Sequence, residues 1–161
     1  MKLKLFLLAG VAALLCLHAC TKDGVKPKGT ITMNVNDSAY KGQFATALRI
    51  DTSNVYSTIS VSAGSMNGTL VGFTLVIPTK NPVPGTYSSN KDKNTVVTLS
   101  YSTIRLGAEY TSTQNGGNAV VNITRIDKDG IEGTFSGKVI SDLDPSHTLL
   151  LSNGAFSAAF D

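Results

Sequence analysis

From Thr30 onward, apolar and polar residues alternate with a period of two, the spacing of a strand with one dry face and one wet face. Ile31, Met33 and Val35 alternate with Thr32, Asn34 and Asn36, and Phe44, Leu48 and Ile50 alternate with Gln43, Ala47 and Arg49. Over Val55 to Ala63, Ile59 and Val61 face away from Thr58 and Ser60. Thr69 to Ile77 is apolar on nearly both faces, which predicts a central, covered strand. Further strands are predicted at Thr95 to Ile104, Ala108 to Ser112, Ala119 to Ile126, Ile131 to Ile140, Thr148 to Ser152 and Ala155 to Phe160. Polar turns separate them: Ser65-Met66-Asn67-Gly68, Gln114-Asn115-Gly116-Gly117 and Asp127-Lys128-Asp129-Gly130, where Gly, Asn and Asp tolerate positive φ. Gly-Thr recurs at Gly29, Gly68, Gly85 and Gly133 as a strand opener but at no fixed period, so no repeat architecture is expected. The pattern predicts an all-β domain of about nine or ten strands, an antiparallel β-sandwich with a lipocalin-like β-barrel as the alternative. No helical spacing is sustained outside the N-terminal segment.

That segment follows another pattern. Lys2 and Lys4 precede an unbroken apolar run from Leu5 to Leu17, 13 residues long, and small Ala19 follows. A bilayer crossing needs about 18 to 20 apolar residues, so the run reads as an export leader removed after use. Leu17-His18-Ala19-Cys20 resembles the lipobox of bacterial lipoproteins. The resemblance implies cleavage after Ala19 and a diacylglyceryl thioether on Cys20, and thiolate sulfur is the nucleophile such a bond requires. The expected organisation is a signal peptide over 1–19, a lipidated N-terminus and tether over 20–28, and one β-domain over 29–161. Thr21 to Lys28, with Gly24 and Pro27 and no apolar period, spans at most about 26 Å. A multiply acylated anchor holds a protein on a membrane almost permanently.

Composition changes this picture in two places. Of 14 Lys and Arg, two leave with the leader, so 12 face 11 Asp and Glu and nothing points to nucleic acid as a partner. With Cys16 lost and Cys20 alkylated, no thiol is left for a disulfide or a metal, and His147 is the one mature histidine. No cofactor is expected.

Candidate chemistry is correspondingly thin. Asp142, Asp144 and His147, with Ser146, could orient one another for general-base work, and the hydrolase alternative rests on Asp144 and His147. Pro145 and the serines mark a solvated loop there, so the expectation is no enzyme. Asp127 and Asp129 echo the start of a calcium loop, but an apolar strand stands where the remaining oxygen ligands belong, and a hairpin turn is the better reading. Glu109 and Glu132, the acids within predicted strands, are expected to point to solvent. Among the tyrosines, Tyr101 shares a face with Val97 and Leu99 and belongs to the core. Tyr56 falls on the polar face and is the candidate for surface binding of a glycan or protein.

Several short motifs run together: Thr32-Met33-Asn34-Val35-Asn36 with Tyr40, Gly85-Thr86-Tyr87, Val121-Asn122-Ile123-Thr124-Arg125-Ile126-Asp127, Ile131-Glu132-Gly133-Thr134-Phe135-Ser136, and Ser152-Asn153-Gly154-Ala155-Phe156. Together they resemble a family of small Bacteroidota lipoproteins of unknown function. The resemblance implies a single all-β domain in the cell envelope, anchored by lipid to the outer membrane, and no assigned reaction. Thr21-Lys22-Asp23 is partly similar to the surface-export tag of such bacteria, with Gly24 where a second acid would stand, so the periplasmic and the outer face both stay open. The expected role is a non-catalytic binding or structural module, with a carrier of a small apolar ligand as the alternative. Mass spectrometry of the native protein should find Cys20 as the first residue, bearing acyl mass. Cys20→Ala should remove that mass and release the chain from the membrane fraction.

Overall fold

Ten strands follow one another with no helix between them, in a computed structural model that describes residues 29–52, 55–89, 94–104 and 107–161. The leader, the cleavage residue Ala19, Cys20 and the tether lie outside the described residues. The strands are β1 (Gly29–Val35), β2 (Ser38–Thr52), β3 (Tyr56–Gly64), β4 (Thr69–Ile77), β5 (Gly85–Ser88), β6 (Val96–Thr103), β7 (Ala108–Thr111), β8 (Asn118–Ile126), β9 (Gly130–Ser141) and β10 (Thr148–Phe160).

All ten belong to one sheet, ordered β1-β10-β2-β3-β4-β6-β7-β9-β8-β5, with β1 also paired to β2 and β10 to β9. Neighbours are antiparallel except for a short parallel contact between β10 and β2 at Ala159↔Thr46 and Phe160↔Ala47. The pairings therefore trace a closed circuit, β1-β2-β3-β4-β6-β7-β9-β10 and back to β1. One link is narrow, since β7 meets β9 only at Tyr110↔Ser141 and Thr111↔Ile140. Below it β8 takes over that edge of β9, and β5 adds to β8. The fold is all-β, one mixed sheet curled over its own inner face, consistent with the sandwich and with a barrel-like closure. Antiparallel order gives it two ends. Gly29, the β2–β3 connection, Ile77, Val96, Gly130 and Phe160 lie at the lower end; the β1–β2 and β3–β4 turns and the 142–147 loop lie at the upper.

The inner face is dry. Ile31, Ile59, Val61, Leu75, Leu99, Val121, Ile123, Val139 and Leu151 are fully buried there. At its centre, Phe73 of β4 packs edge-on against Phe156 of β10, ring centroids 4.7 Å apart, and Phe135 of β9 lies 6.1 Å from Phe73 and 6.4 Å from Phe156. Two glycines make room for these rings. Gly154 is paired across the seam with Phe135, and Gly133 with Phe156. A Cβ on Gly154 would fall 2.7 Å from the Phe135 ring, and one on Gly133 would fall 2.9 Å from the Phe156 ring and 2.1 Å from the Asn122 carbonyl oxygen. Each phenyl ring thus covers the bare backbone of its cross-strand partner.

The structure departs from the period-two reading at three points. In β2, Phe44, Leu48 and Ile50 face outward and are about half exposed, while Ala45 and Ala47 are buried. The cause is a bulge between Gln43 and Thr46, with Phe44 in left-handed backbone at φ 60°, which shifts the inward parity from Gly42 to Ala45. In β10, Ser152-Asn153-Gly154 does not end a strand. The segment is a second bulge, with Asn153 at φ 51°, and one strand continues to Phe160. The outer face of β4 is not covered: Leu70 is exposed and Val76 half-buried, although the strand is central between β3 and β6. The expected turns at Ser65–Gly68, Gln114–Gly117 and Asp127–Gly130 are all present.

Phe156→Ala removes the ring that touches both Phe73 and Gly133. It should lower the unfolding free energy by about 3–5 kcal/mol, measurable by denaturant titration.

Candidate functional site

The sequence-derived candidates come apart in space. Asp144 and His147 share the exposed loop between β9 and β10, their Oδ2 and Nε2 atoms 3.8 Å apart. Asp144 Oδ1 accepts the Ser146 amide at 2.9 Å and its hydroxyl at 2.8 Å, which hold the carboxyl below the usual carboxylate range. The Ser146 hydroxyl therefore donates to the acid. Asp142 faces the other way, accepting the Glu109 amide at 3.2 Å. The loop is braced by its own turn, with the His147 amide donating to the Asp144 carbonyl at 2.9 Å.

Asp127 is likewise occupied by its hairpin, as the turn reading predicts. Its Oδ1 accepts the amides of Asp129 at 2.8 Å and Gly130 at 3.1 Å. Arg125 binds Asp127 and also Glu132, the latter at 2.8 Å. Glu132 is thus drawn along the sheet surface, where it also accepts the Ser157 hydroxyl at 3.4 Å. Among the described residues, no three His, Cys, Asp or Glu side chains converge as metal ligands would. Tyr101 packs against the core and meets Tyr110 edge-on at 6.1 Å, as the sequence pattern predicts. Tyr56 stands at the lower end of β3, exposed, opposite Thr52.

What the sequence reading missed lies around the β10 bulge. An outward row crosses six strands in register: Thr86, Asn122, Thr134, Ala155, Thr32 and Lys41. It is short-chained and mostly neutral, and the Thr86 hydroxyl donates to the Asn122 amide oxygen at 3.1 Å. Beside it, the bulge at Asn153 bends β10 and Gly154 carries no side chain, leaving an open groove of about 480 Å³ between Asn122, Thr134, Ser136, Ser152 and Asn153. A second groove, about 340 Å³, lies across Asn153 against Asn34, Tyr40 and Lys41. Tyr40 anchors that side by donating to the Thr69 carbonyl at 3.3 Å, and burial pushes its phenol pKa up. The two grooves share Asn153 as a common wall, and the hollow around it is edged by amides and hydroxyls, with Lys41 as the charge at its rim. Asn-Gly at 153–154 was the available signal, since Asn tolerates left-handed backbone, but it reads equally as a turn.

Comparison of the chain with protein-family models, with curated proteins and with solved structures gives no match.

Arg125 is the main cause of the lowered Glu132 pKa, whereas Asp127 is lowered first by the Asp129 amide and only then by Arg125. Carboxyls depressed in the folded state stabilise it above their unfolded pKa, and that contribution is lost as pH falls through the acid range. Arg125→Ala should therefore return Glu132 close to the ordinary glutamate titration and Asp127 only part of the way, read by NMR titration of the two side chains.

Proposed function

We propose that the protein is a lipid-anchored module of the cell envelope, held at the outer membrane through Cys20, that binds a ligand rather than transforming one. The observation that carries the binding reading is the hollow around Asn153. Its walls offer amide and hydroxyl groups from four neighbouring strands, spaced by the sheet and fixed by its ladder. Such groups recognise neutral polar ligands by multiple hydrogen bonds, as a glycan or an extended peptide would supply. The leader, the Leu17-His18-Ala19-Cys20 motif and the resemblance to small Bacteroidota lipoproteins support the envelope location. The Asp144–His147 pair speaks against hydrolysis, because it stands in an exposed loop where the Ser146 amide and hydroxyl already hold the carboxylate.

The closed strand circuit favours a second reading, a carrier for a small apolar ligand. Against it stands the cluster of Phe73, Phe135 and Phe156, which fills the middle of the body where such a ligand would sit.

Glycan and peptide arrays probed with the purified protein should give a ligand class whose binding falls about five- to tenfold in Asn122→Ala or Thr134→Ala. Binding that these changes leave untouched, or arrays that stay silent, would remove the groove reading and leave a scaffold role.

A further inference from the structure

On the opposite side of the body from the Asn153 hollow, the outer face changes character toward the lower end. Ile50, Thr58, Val76 and Val96 form one cross-strand row over β2, β3, β4 and β6. Leu48 and Tyr56 stand on the same outer face, and Val55 in the β2–β3 connection is exposed beside them. Above it on the same face, Leu48 shares a row with Ser60, Thr74 and Thr98, Thr46, Ser62 and Ser100 lie in and beside the next, and Phe44 and Leu70 are exposed among these hydroxyls. Apolar side chains gathered along the lower rim of a sheet face, broken there by Thr58, mark a contact surface. Basic Lys80 lies next to this rim, its backbone carbonyl held by the Arg49 guanidinium at 2.6 Å.

The position of the preceding chain identifies what covers it. Gly29, the first described residue, lies at the lower end, level with Ala45 of β2. Ile50 is five residues further down β2, about 17 Å at strand rise. The eight residues between Cys20 and Gly29 reach at most about 26 Å. An acylated Cys20 thus draws the lower end onto the lipid surface, with the apolar rim within the tether's span. The upper end also exposes apolar residues, Met66, Leu70 and Ile104. To bring those to the bilayer, the tether would first have to climb the length of β1, about 20 Å, and would keep almost no slack.

We infer that the lower rim of β2, β3, β4 and β6, with Ile50, Val55, Tyr56, Val76 and Val96, rests on the interface of the membrane that holds the lipid anchor. The inference rests on the anchor reading above. Tyr56 serves there as an interfacial aromatic, its ring among acyl carbons and its hydroxyl among head groups, and Lys80 meets anionic lipid. The domain is then docked rather than swinging, and the Asn153 hollow, on the other face and nearer the upper end, is turned away from the lipid.

The chain contains no tryptophan, so a single introduced Trp is a sole reporter. Full-length lipidated Tyr56→Trp and Met66→Trp proteins are reconstituted in vesicles of phosphatidylcholine and phosphatidylglycerol, with and without bromine on the acyl chains. Met66 is 90% exposed in the upper β3–β4 turn, so its Trp reports the competing apolar end. Brominated lipid should quench Tyr56→Trp emission roughly twofold, with a blue shift, and leave Met66→Trp nearly unchanged. Val96→Trp, on the same rim, should behave as Tyr56→Trp does and guards against a local fault in either variant. Vesicle flotation is scored on the same samples. Proteins that float while neither rim reporter is quenched overturn the docked orientation and leave the anchor standing, as does quenching of Met66→Trp alone. Proteins that do not float overturn the anchor and the orientation with it.

Discussion

Two reciprocal pairs across the β9–β10 seam, Phe135 over Gly154 and Phe156 over Gly133, carry the rest of the architecture. A phenyl ring on one strand needs bare backbone on the next, and each strand supplies one of each. The arrangement brings both rings inward to meet Phe73 from β4, so β4, β9 and β10 are joined across the core by aromatic contact. With no cysteine among the described residues, the body depends on such packing for a unique structure. The seam also sets the register of the sheet: the same pairs that seat the rings align Thr134 with Ala155 and Glu132 with Ser157 on the outside.

The bulges in β2 and β10 act as switches of facing. At Phe44 the extra residue turns a large aromatic outward and admits alanines beneath, where β1 and β10 crowd against β2. At Asn153 it bends β10 and opens the hollow shared with Asn34 and Asn122. Left-handed backbone at both sites is the local expense of letting a strand keep its hydrogen bonds while changing the side it presents. One switch exposes part of the apolar rim, and the other shapes the polar groove. The two outer surfaces therefore differ in chemistry although both are built on the same curled sheet.

Charge plays a lesser part. Two networks of ionised groups bind one another and nearby hydroxyls or amides: Arg125, Asp127 and Glu132, and Arg49, Asp51 and Ser57, where hydrogen bonds from the Ser57 hydroxyl and then Arg49 lower the Asp51 pKa. The second network sits at the lower mouth of the core: its buried Ser57 ties β3 to Asp51 of β2, and Arg49 donates to the Lys80 carbonyl in the loop after β4. These contacts fix loops in place.

The all-β character, the turns at Ser65–Gly68, Gln114–Gly117 and Asp127–Gly130, and the inward set Ile59, Val61, Val97 and Leu99 were legible in the sequence, because alternation and positive-φ residues are local properties. The same local reading turned Leu48 and Ile50 to the wrong side and cut β10 in two. A bulge inverts parity without altering composition, and Phe in left-handed backbone is a choice that only packing against neighbouring strands enforces. The groove was out of reach for a related reason. Thr86, Asn122, Thr134 and Thr32 lie far apart in the chain and become one surface only through strand register, which is settled by the inward Phe–Gly pairs and not by the polar residues themselves.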